Sequence, residues 1–460
     1  MIINFNDSKK NLVKFTFKDD FSNEFFDGSI GEVFPDLNSN LIYLGLGVKE
    51  NFDREIFKEA VYKLGRFFLN KEIREISFDD NSLELDKEDY IYNIVNSLIL
   101  AGYNFDYYKS EKTKYNMENI NLPASFNSYE KNMEELVKVI DAQSFARDLV
   151  NLRSNDIYPE TLANKAKEEL SKYGVDVKIY EEDQIREMGL TAFLQVAKGS
   201  DNKPRFIVME YLKANDDQKP LVFVGKGLTY DSGGYSIKSS DGMKEMNSDM
   251  GGSATVIGAL KAIASNNLKV NVVGIVAACE NSISGRAYKP GDVIKARNGM
   301  TIEVDNTDAE GRITLADAVN YGVTEYKPQM IIDLATLTGA VLVALGETYT
   351  GAITNNQQAM DEVLKAAKET DEKIWQLPND NFLRKYNNSE VADIKNSGGR
   401  LAGSITAGQF VGAFIEDYPW VHLDIAGTAY LSKAQGPYQE GATGVQVKTL
   451  YQLAKNKAEK

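Results

Sequence analysis

The stretch LVFVGKGLTYDSGG, residues 221–234, joins a run of apolar residues to a glycine-rich turn. Its first four residues predict a buried strand, and the glycines that follow let the backbone turn tightly and approach a ligand. Their spacing matches neither a Walker A loop nor a dinucleotide-binding turn. Lys226 and Asp231 therefore lie at the end of a strand, where a structural turn and a functional site are both open interpretations.

Strand-like and helix-like segments alternate around this stretch from about residue 159 onward. Apolar runs predict strands at 270–278, 330–332 and 421–423, and helical spacing predicts helices at 254–264 and 313–326. Such alternation predicts an α/β fold in which helices flank a mixed, largely parallel sheet. In sheets of this kind, the ligand site lies at the carboxyl ends of the strands.

A second, smaller α/β unit is predicted for residues 1–125, which alternate strand-like and helix-like patterns. Apolar residues at helical spacing predict a long helix in residues 126–150, which we interpret as a connection between domains. The predicted fold class is therefore α/β with two domains: a smaller N-terminal α/β domain and a C-terminal domain at 151–460.

The chain has 460 residues, a net charge of −15 and a pI of about 4.9. Because so acidic a surface repels phosphate groups and anionic lipids, we expect neither a nucleic acid nor a membrane partner. Cys279 is the one cysteine, which excludes an intrachain disulfide and a cysteine-rich metal site. The first residues lack the apolar stretch of a signal peptide, so we expect a cytoplasmic protein.

The sequence contains one histidine, His422. This excludes HExxH metalloprotease sites and three-histidine zinc sites, so any bound metal must depend mainly on oxygen ligands. His422 lies in the apolar run 420–425, and we interpret it as a structural core residue rather than a general base. Cys279 ends an apolar run and is interpreted as a core residue too.

Three carboxylates are crowded into the run DNTDAEGR, residues 305–312. They belong to Asp305, Asp308 and Glu310, and Arg312 follows them. Because these groups repel one another, they call for a positive partner, although a solvated acidic loop is the alternative. In extended backbone, Asp308 and Glu310 would point to the same side.

Asp249 directly precedes an apolar helical run, and on its own it is interpreted as a helix N-cap. With Asp231, Asp308 and Glu310 it forms a set of four carboxylates, to which Lys226 adds an amine. Four carboxylates can hold two divalent cations, and oxygen ligands suit Mg²⁺, Mn²⁺ and Zn²⁺. As a ligand Lys226 would have to be neutral, a form that a neighbouring dication favours.

Several segments, in this order, resemble the leucyl (cytosol) aminopeptidase family. They are GKGLTYDSGGYSIK at 225–238, DMGG at 249–252, NTDAEGR at 306–312, ATLTGA at 335–340, WVHLDIAG at 420–427 and GATGVQVKTL at 441–450. The resemblance covers residues 147–453. It implies a metallo-exopeptidase that removes leucine-like or other apolar N-terminal residues from peptides. Residues 151–460 would form its catalytic domain, and residues 1–125 would serve packing and assembly.

The resemblance also implies roles for individual residues. The implied ligands of two divalent metal ions, Mn²⁺ or Zn²⁺, are Lys226, Asp231, Asp249, Asp308 and Glu310. The implied catalytic residues are Lys238 and Arg312, and Arg312 would hold a bicarbonate that acts as general base. The implied substrate wall comprises Met246, Asn306, Thr336, Leu337, Gly339 and Ala426. The family further implies a water that bridges the two metals, and a homohexamer.

Four positions depart from the family's usual pattern without removing a metal or catalytic position. Asn247 replaces a frequent lysine, Ser239 a common proline and Asp305 a usual apolar residue, and Arg153 lies in a region often rich in proline. Two other interpretations use the same residues. One is a two-metal hydrolase of the phosphoesterase type, and the other is a non-enzymatic binding or regulatory protein.

Overall fold

A computed structural model describes residues 1–20, 24–36, 38–80, 83, 85–215 and 217–459. The chain forms two compact units, Met1–Asp141 with Lys433–Glu440, and Ala142–Ser432 with Gly441–Lys460. This confirms the predicted α/β class with a smaller N-terminal domain. The division falls inside the helix predicted to connect the domains, and the sequence did not indicate that Lys433–Glu440 belongs to the first unit.

The first unit contains a six-stranded sheet in the order β1-β6-β5-β2-β4-β3. Its strands are β1 (Ile2–Phe5), β2 (Leu12–Thr16), β3 (Val33–Asp36), β4 (Leu41–Gly45), β5 (Glu75–Phe78) and β6 (Asn119–Leu122). All neighbouring strands pair in parallel except β3 and β4. Its helices are α1 (Arg54–Phe67), α2 (Lys87–Gly102) and the first part of α3 (Glu130–Asn151), with short 3₁₀ helices at Lys49–Asn51 and Ala124–Tyr129.

The second unit contains an eight-stranded sheet in the order β15-β14-β17-β13-β9-β10-β8-β7. Its strands are β7 (Asp176–Tyr180), β8 (Arg205–Leu212), β9 (Leu221–Asp231), β10 (Asn271–Asn281), β13 (Met330–Ala335), β14 (Thr350–Thr354), β15 (Ile374–Gln376) and β17 (Trp420–Asp424). The four central strands β17, β13, β9 and β10 are parallel. Smaller sheets contain β11 (Val293–Lys295), β12 (Thr301–Glu303) and β16 (Ile394–Lys395), and β18 (Tyr430–Leu431) with β19 (Gly441–Ala442).

Helices cover both faces of this sheet. They are α4 (Pro159–Ser171), α5 (Glu182–Glu187), α6 (Thr191–Ala197), α7 (Ser240–Met243), α8 (Gly251–Ser265), α9 (Glu310–Tyr326), α10 (Gly339–Leu345), α11 (Gln357–Thr370), α12 (Asn381–Arg384), α13 (Gly403–Val411) and α14 (Val447–Ala458). Further 3₁₀ helices span Met246–Met250, Lys385–Asn387 and Gly412–Phe414. In β9, Val222 lies against Gly322 of α9, and Gly225 lies against Gly252 of α8. Because side chains alternate along a strand, α8 and α9 lie on opposite faces.

The parallel strands place several polar residues at one edge of the sheet. The predicted strand at 221–224 continues to Asp231, and its second half carries Lys226. Thr336 directly follows β13, and Asp424 ends β17. Since carboxyl ends of parallel strands meet at one edge, these residues share the position predicted for a ligand site.

Gly252 is required where α8 approaches the sheet. A Cβ atom at this position would lie 2.1 Å from the carbonyl oxygen of Leu334 and 2.8 Å from the backbone nitrogen of Lys226. We therefore expect Gly252→Ala to lower the free energy of unfolding by about 1–3 kcal/mol, because backbone must move. Chemical denaturation measures this change.

Gly285→Ala is the matched control, because an added Cβ there meets no atom within 4 Å. Equal stability of the two variants would contradict the close approach at Gly252.

Candidate metal centre

Lys226 lies among buried oxygen atoms. Its Nζ is 2.7 Å from Asp249 Oδ1 and 3.0 Å from Glu310 Oε1. It also donates a hydrogen bond of 3.0 Å to the carbonyl oxygen of Thr336. The Lys226 side chain is only 4% exposed, so β9 carries a positive charge into the interior next to two carboxylates.

A second lysine, Lys238, joins two further carboxylates. Its Nζ is 2.8 Å from Asp231 Oδ2 and 2.5 Å from Asp308 Oδ1. The turn after β9 brings Lys238 back to the strand end, and Gly233 and Gly234 adopt φ values of +83° and +64° there. Residues with side chains rarely adopt these values, so the two glycines are needed for this turn.

The four carboxylates converge on one place. Asp231, Asp308 and Glu310 each offer an oxygen, and these atoms lie within 4.8 Å of one another. Asp249 reaches the same group through Lys226. Within the described part of the chain, buried Asp249 Oδ2 and Glu310 Oε2 have no hydrogen-bond donor. Because buried carboxylate oxygens need a positive partner, this donor set fits divalent cations.

The site contains more carboxylates than lysines, so its negative charges are not fully compensated. Burial raises the pKa of Glu310 to about 8, with a further contribution from Asp231, and burial raises the pKa of Asp249 to about 6. Burial alone would lower the pKa of Lys226, but Asp249, Glu310 and Asp231 outweigh it and raise that pKa. A divalent cation would favour ionised carboxylates and a neutral Lys226 amine. The residues therefore suit a cation that supplies the missing positive charge.

Asn396 fixes the acidic run 305–312. Its buried side chain accepts hydrogen bonds from the backbone nitrogens of Asp305 at 2.9 Å and Asn306 at 3.2 Å. It donates to the carbonyl oxygens of Asn306 at 2.6 Å and Ala309 at 3.2 Å. This clamp holds the backbone on both sides of Asp308 and orients it towards Lys238.

Gly311 leaves room for the Lys226 side chain, which passes directly over its Cα atom. A Cβ atom at position 311 would lie 2.2 Å from Lys226 Cε. The glycine in the run NTDAEGR is therefore a steric requirement of the lysine.

Arg312 is buried beside the carboxylates. Its Nη1 donates a hydrogen bond of 2.8 Å to the carbonyl oxygen of Asn396. Its Nε has no acceptor among the residues that the structure describes. Burial lowers the pKa of Arg312 to about 10, so the guanidinium remains charged at neutral pH and can bind an anion.

The predicted substrate wall divides into two groups. A cavity of about 630 Å³ is lined by Asn306, Leu337 and Gly339, together with Asp308 and Arg312. Met246, Thr336 and Ala426 are not among the described residues that line it.

The second group lies near Asp249 or Asp424. Thr336 Oγ1 donates a hydrogen bond of 2.8 Å to Asp249 Oδ1, and Met246 begins the 3₁₀ helix that contains Asp249. The backbone nitrogen of Ala426 donates to Asp424 Oδ1 at 3.2 Å.

A sequence profile of the cytosol aminopeptidase family, catalytic domain, matches residues 144–451. The chain belongs to the cytosol aminopeptidase family. Proteins named "Probable cytosol aminopeptidase" from Clostridium perfringens and Clostridium tetani are 47% and 46% identical to it. Both alignments cover 94% of this chain, and they cover 90% and 92% of the two relatives.

The fold also matches a solved structure, that of the bottromycin maturation enzyme BotP in complex with Mn. The two chains are 28% identical with a TM-score of 0.88, and the match covers 98% of this chain and 100% of the other. Membership of the cytosol aminopeptidase family identifies the chain as a metallo-aminopeptidase, and so as an enzyme. Among the described residues, every helix is too short or too polar to cross a membrane.

The interpretation of Asp249 as an N-cap is wrong. Asp249 lies in the 3₁₀ helix Met246–Met250, and α8 begins after Met250 without a side-chain cap. Its carboxylate contacts Lys226 and Thr336 instead. An aspartate before a helix resembles a cap in sequence, whereas these partners lie 23 and 87 residues away.

His422 is enclosed in the sheet of this aminopeptidase. Its side chain is 1% exposed, and Nδ1 lies 2.6 Å from Asp333 Oδ1. Asp333 Oδ2 accepts a hydrogen bond of 2.6 Å from Trp420 Nε1. These contacts agree with a structural histidine, whose partner Asp333 lies on the neighbouring strand β13.

Sequence reasoning missed the buried amides that hold the site. Asn281, at the end of β10, donates 2.8 Å and 2.9 Å hydrogen bonds to Asp231 Oδ1 and to the Thr307 carbonyl oxygen. Asn396 acts in the same way on the acidic run. Isolated asparagines give no signal in a single sequence, because their partners lie far along the chain.

Two departures from the family pattern are linked in space. The Asn247 side-chain amide donates to the carbonyl oxygens of Val150 at 2.9 Å and Leu152 at 3.1 Å. Arg153 Nη1 donates to Asn247 Oδ1 at 3.3 Å. Asn247 and Arg153 thus join the end of α3 to the 3₁₀ helix that carries Asp249.

Proposed function

We propose that this metallo-aminopeptidase hydrolyses the N-terminal peptide bond of peptides with two divalent cations, held by Lys226, Asp231, Asp249, Asp308 and Glu310. The convergence of four carboxylates around Lys226, next to the carboxyl ends of the parallel strands β9 and β13, carries this proposal. Two of them keep buried oxygens without a donor among the described residues. Phosphoester substrates usually call for additional cationic side chains, whereas here carboxylates outnumber the two lysines.

The residues around the cations divide the reaction between them. When bound, the cations would polarise the scissile carbonyl and lower the pKa of a water towards neutrality. Asp249 would accept a hydrogen bond from the substrate's free α-amine, which restricts cleavage to chain ends. Lys238 would donate a hydrogen bond to the oxygen on which negative charge develops. Arg312 would hold a bicarbonate, the proton acceptor that replaces histidine in this site.

The finer proposals rest on family membership together with the geometry. The cations are Mn²⁺ or Zn²⁺, and the enzyme is a cytoplasmic homohexamer. A leucine-like or other apolar N-terminal side chain lies against Met246, Thr336 and Ala426, on the side of Asp249. Residues 151–460 perform catalysis, residues 126–150 connect the domains, and residues 1–125 serve packing and assembly.

The free-amine requirement gives a direct test. We expect the Mn²⁺-loaded enzyme to release leucine from leucinamide and to leave N-acetyl-leucinamide intact, because acetylation removes the positive charge and leaves a single N–H donor for Asp249. Ammonia release measures both reactions. Equal turnover of the two compounds would contradict the proposed binding of the substrate's free α-amine at Asp249.

A further inference from the structure

One of the charged side chains that line the large cavity beside the carboxylates has no role in the proposed function. Three charged side chains are found among its described lining residues, those of Asp308, Arg312 and Arg400. Asp308 is paired with Lys238, and Arg312 is buried and bonded to Asn396. Arg400 is exposed and makes no hydrogen bond or ion pair with any residue in the described part of the chain. In a chain with a net charge of −15, this cavity wall is therefore locally positive.

The backbone adds to this positive character. Helix α13 begins at Gly403 after Ala402, which has a φ of +54° and provides no side-chain cap. Gly403 and Ser404 both line the cavity. The N-terminus of a helix carries partial positive charge and favours a nearby anion. The partial charge at the N-terminus of α13 adds to the full positive charge of the Arg400 guanidinium.

The position of the cavity indicates which part of a substrate it receives. The cavity borders Asp308 and Arg312, whereas Asp249 is not among its described lining residues. In the proposed function the α-amine binds at Asp249, so the chain would run past Lys238 and the residues after the scissile bond would enter the cavity. Its volume of about 630 Å³ is in the range of whole small-molecule sites, which exceeds the space for one side chain.

We propose that Arg400 binds a carboxylate on the leaving side of the peptide and so determines specificity there. This inference rests on the proposed function. The carboxylate can be the free C-terminus of a dipeptide or an acidic side chain following the scissile bond. Apolar residues of the same wall, Leu337, Val343 and Leu377, would contact the remainder of the leaving residue.

Two substrate pairs, cleaved by the Mn²⁺-loaded full chain, test the proposal and distinguish the two sources. Leu-Leu is compared with Leu-Leu-NH₂, and Leu-Glu-NH₂ with Leu-Gln-NH₂. In Arg400→Gln we expect the KM of the carboxylate-bearing member, relative to its neutral partner, to rise about fivefold in at least one pair, as for a partly exposed ion pair. The corresponding kcat ratio should change little. Arg400→Lys should recover part of the lost discrimination, since it keeps the charge but not the fork of donors.

Ratios within one variant cancel any general loss of folded or active enzyme. Arg186→Gln is the matched control, because it removes the same charge from the wall of a different cavity and should keep both wild-type ratios. If both ratios in Arg400→Gln equal those of the wild type, the role of Arg400 is overturned. Failure of the wild-type enzyme to cleave leucinamide would instead overturn the proposed function, so the two failures are distinguishable.

Discussion

Replacement of Glu310 by alanine is expected to abolish metal binding and peptide hydrolysis together. Glu310 is 1% exposed, and its carboxylate lies 3.0 Å from Lys226 and within 4.8 Å of oxygens on Asp231 and Asp308. Glu310 connects Lys226 to Asp231 and Asp308, so we expect either of the two cations to need an oxygen of Glu310. Its replacement by alanine removes that ligand. We expect kcat/KM for leucinamide to fall at least about a thousandfold, which is about 4 kcal/mol of transition-state stabilisation.

Metal content of the dialysed protein, measured beside activity, checks this expectation. Glu325→Ala makes the same substitution near the other end of α9, where Glu325 is half-exposed and paired with Arg297. It should keep both metal and activity. Glu310→Gln, which preserves side-chain volume, should behave like the alanine variant. Full activity in either Glu310 variant would place the metal site elsewhere.

Local patterns in the sequence located the four central strands of the sheet, because buried strands require apolar runs, but they did not indicate β7, β8, β14 or β15. The run at 330–332 lies within β13, and the run at 270–278 begins one residue before β10 and covers most of it. The run at 221–224 gave only the first part of β9, which continues to Asp231. Its polar second half pairs with β10 as far as Asp231, and there the buried Lys226 and Asp231 meet opposite charges. Such pairing cannot be inferred from residues that are adjacent in sequence.

The candidate site, like the sheet, could be predicted from the sequence only in part. Carboxylate spacing favoured a positive partner for Asp308 and Glu310, with a solvated acidic loop as the alternative, and resemblance to a family placed Lys238 and Arg312 beside them. The amides that hold the site were missed, since Asn396 contacts Arg312 and Asp305 across 84 and 91 residues. The interpretation of Asp249, taken on its own, as a helix N-cap was wrong for a related reason. A side chain before a helix has a local partner in a cap and a distant partner in a site, and sequence position does not distinguish them.

Replacement of Lys238 by alanine should separate metal binding from catalysis. The Lys238 ammonium lies 2.8 Å from Asp231 and 2.5 Å from Asp308, and its side chain is 19% exposed. Removing this positive charge leaves the two carboxylates more negative, so we expect divalent cations to bind at least as tightly as in the wild type. The oxygen that becomes negative during hydrolysis loses its donor. We therefore expect kcat for leucinamide to fall about 10²–10³-fold with a much smaller change in KM.

Titration with a chelator measures the first effect, and steady-state kinetics measure the second. Lys244→Ala removes a lysine six positions away that pairs with exposed Asp241, and it should match the wild type in both assays. Lys238→Arg should recover part of the rate, because a guanidinium keeps the charge in a different shape. Loss of metal from Lys238→Ala would mean that Lys238 holds the site together rather than stabilising the reaction. The opposite responses of metal affinity at Glu310 and Lys238 thus distinguish a ligand from a residue that acts on the substrate.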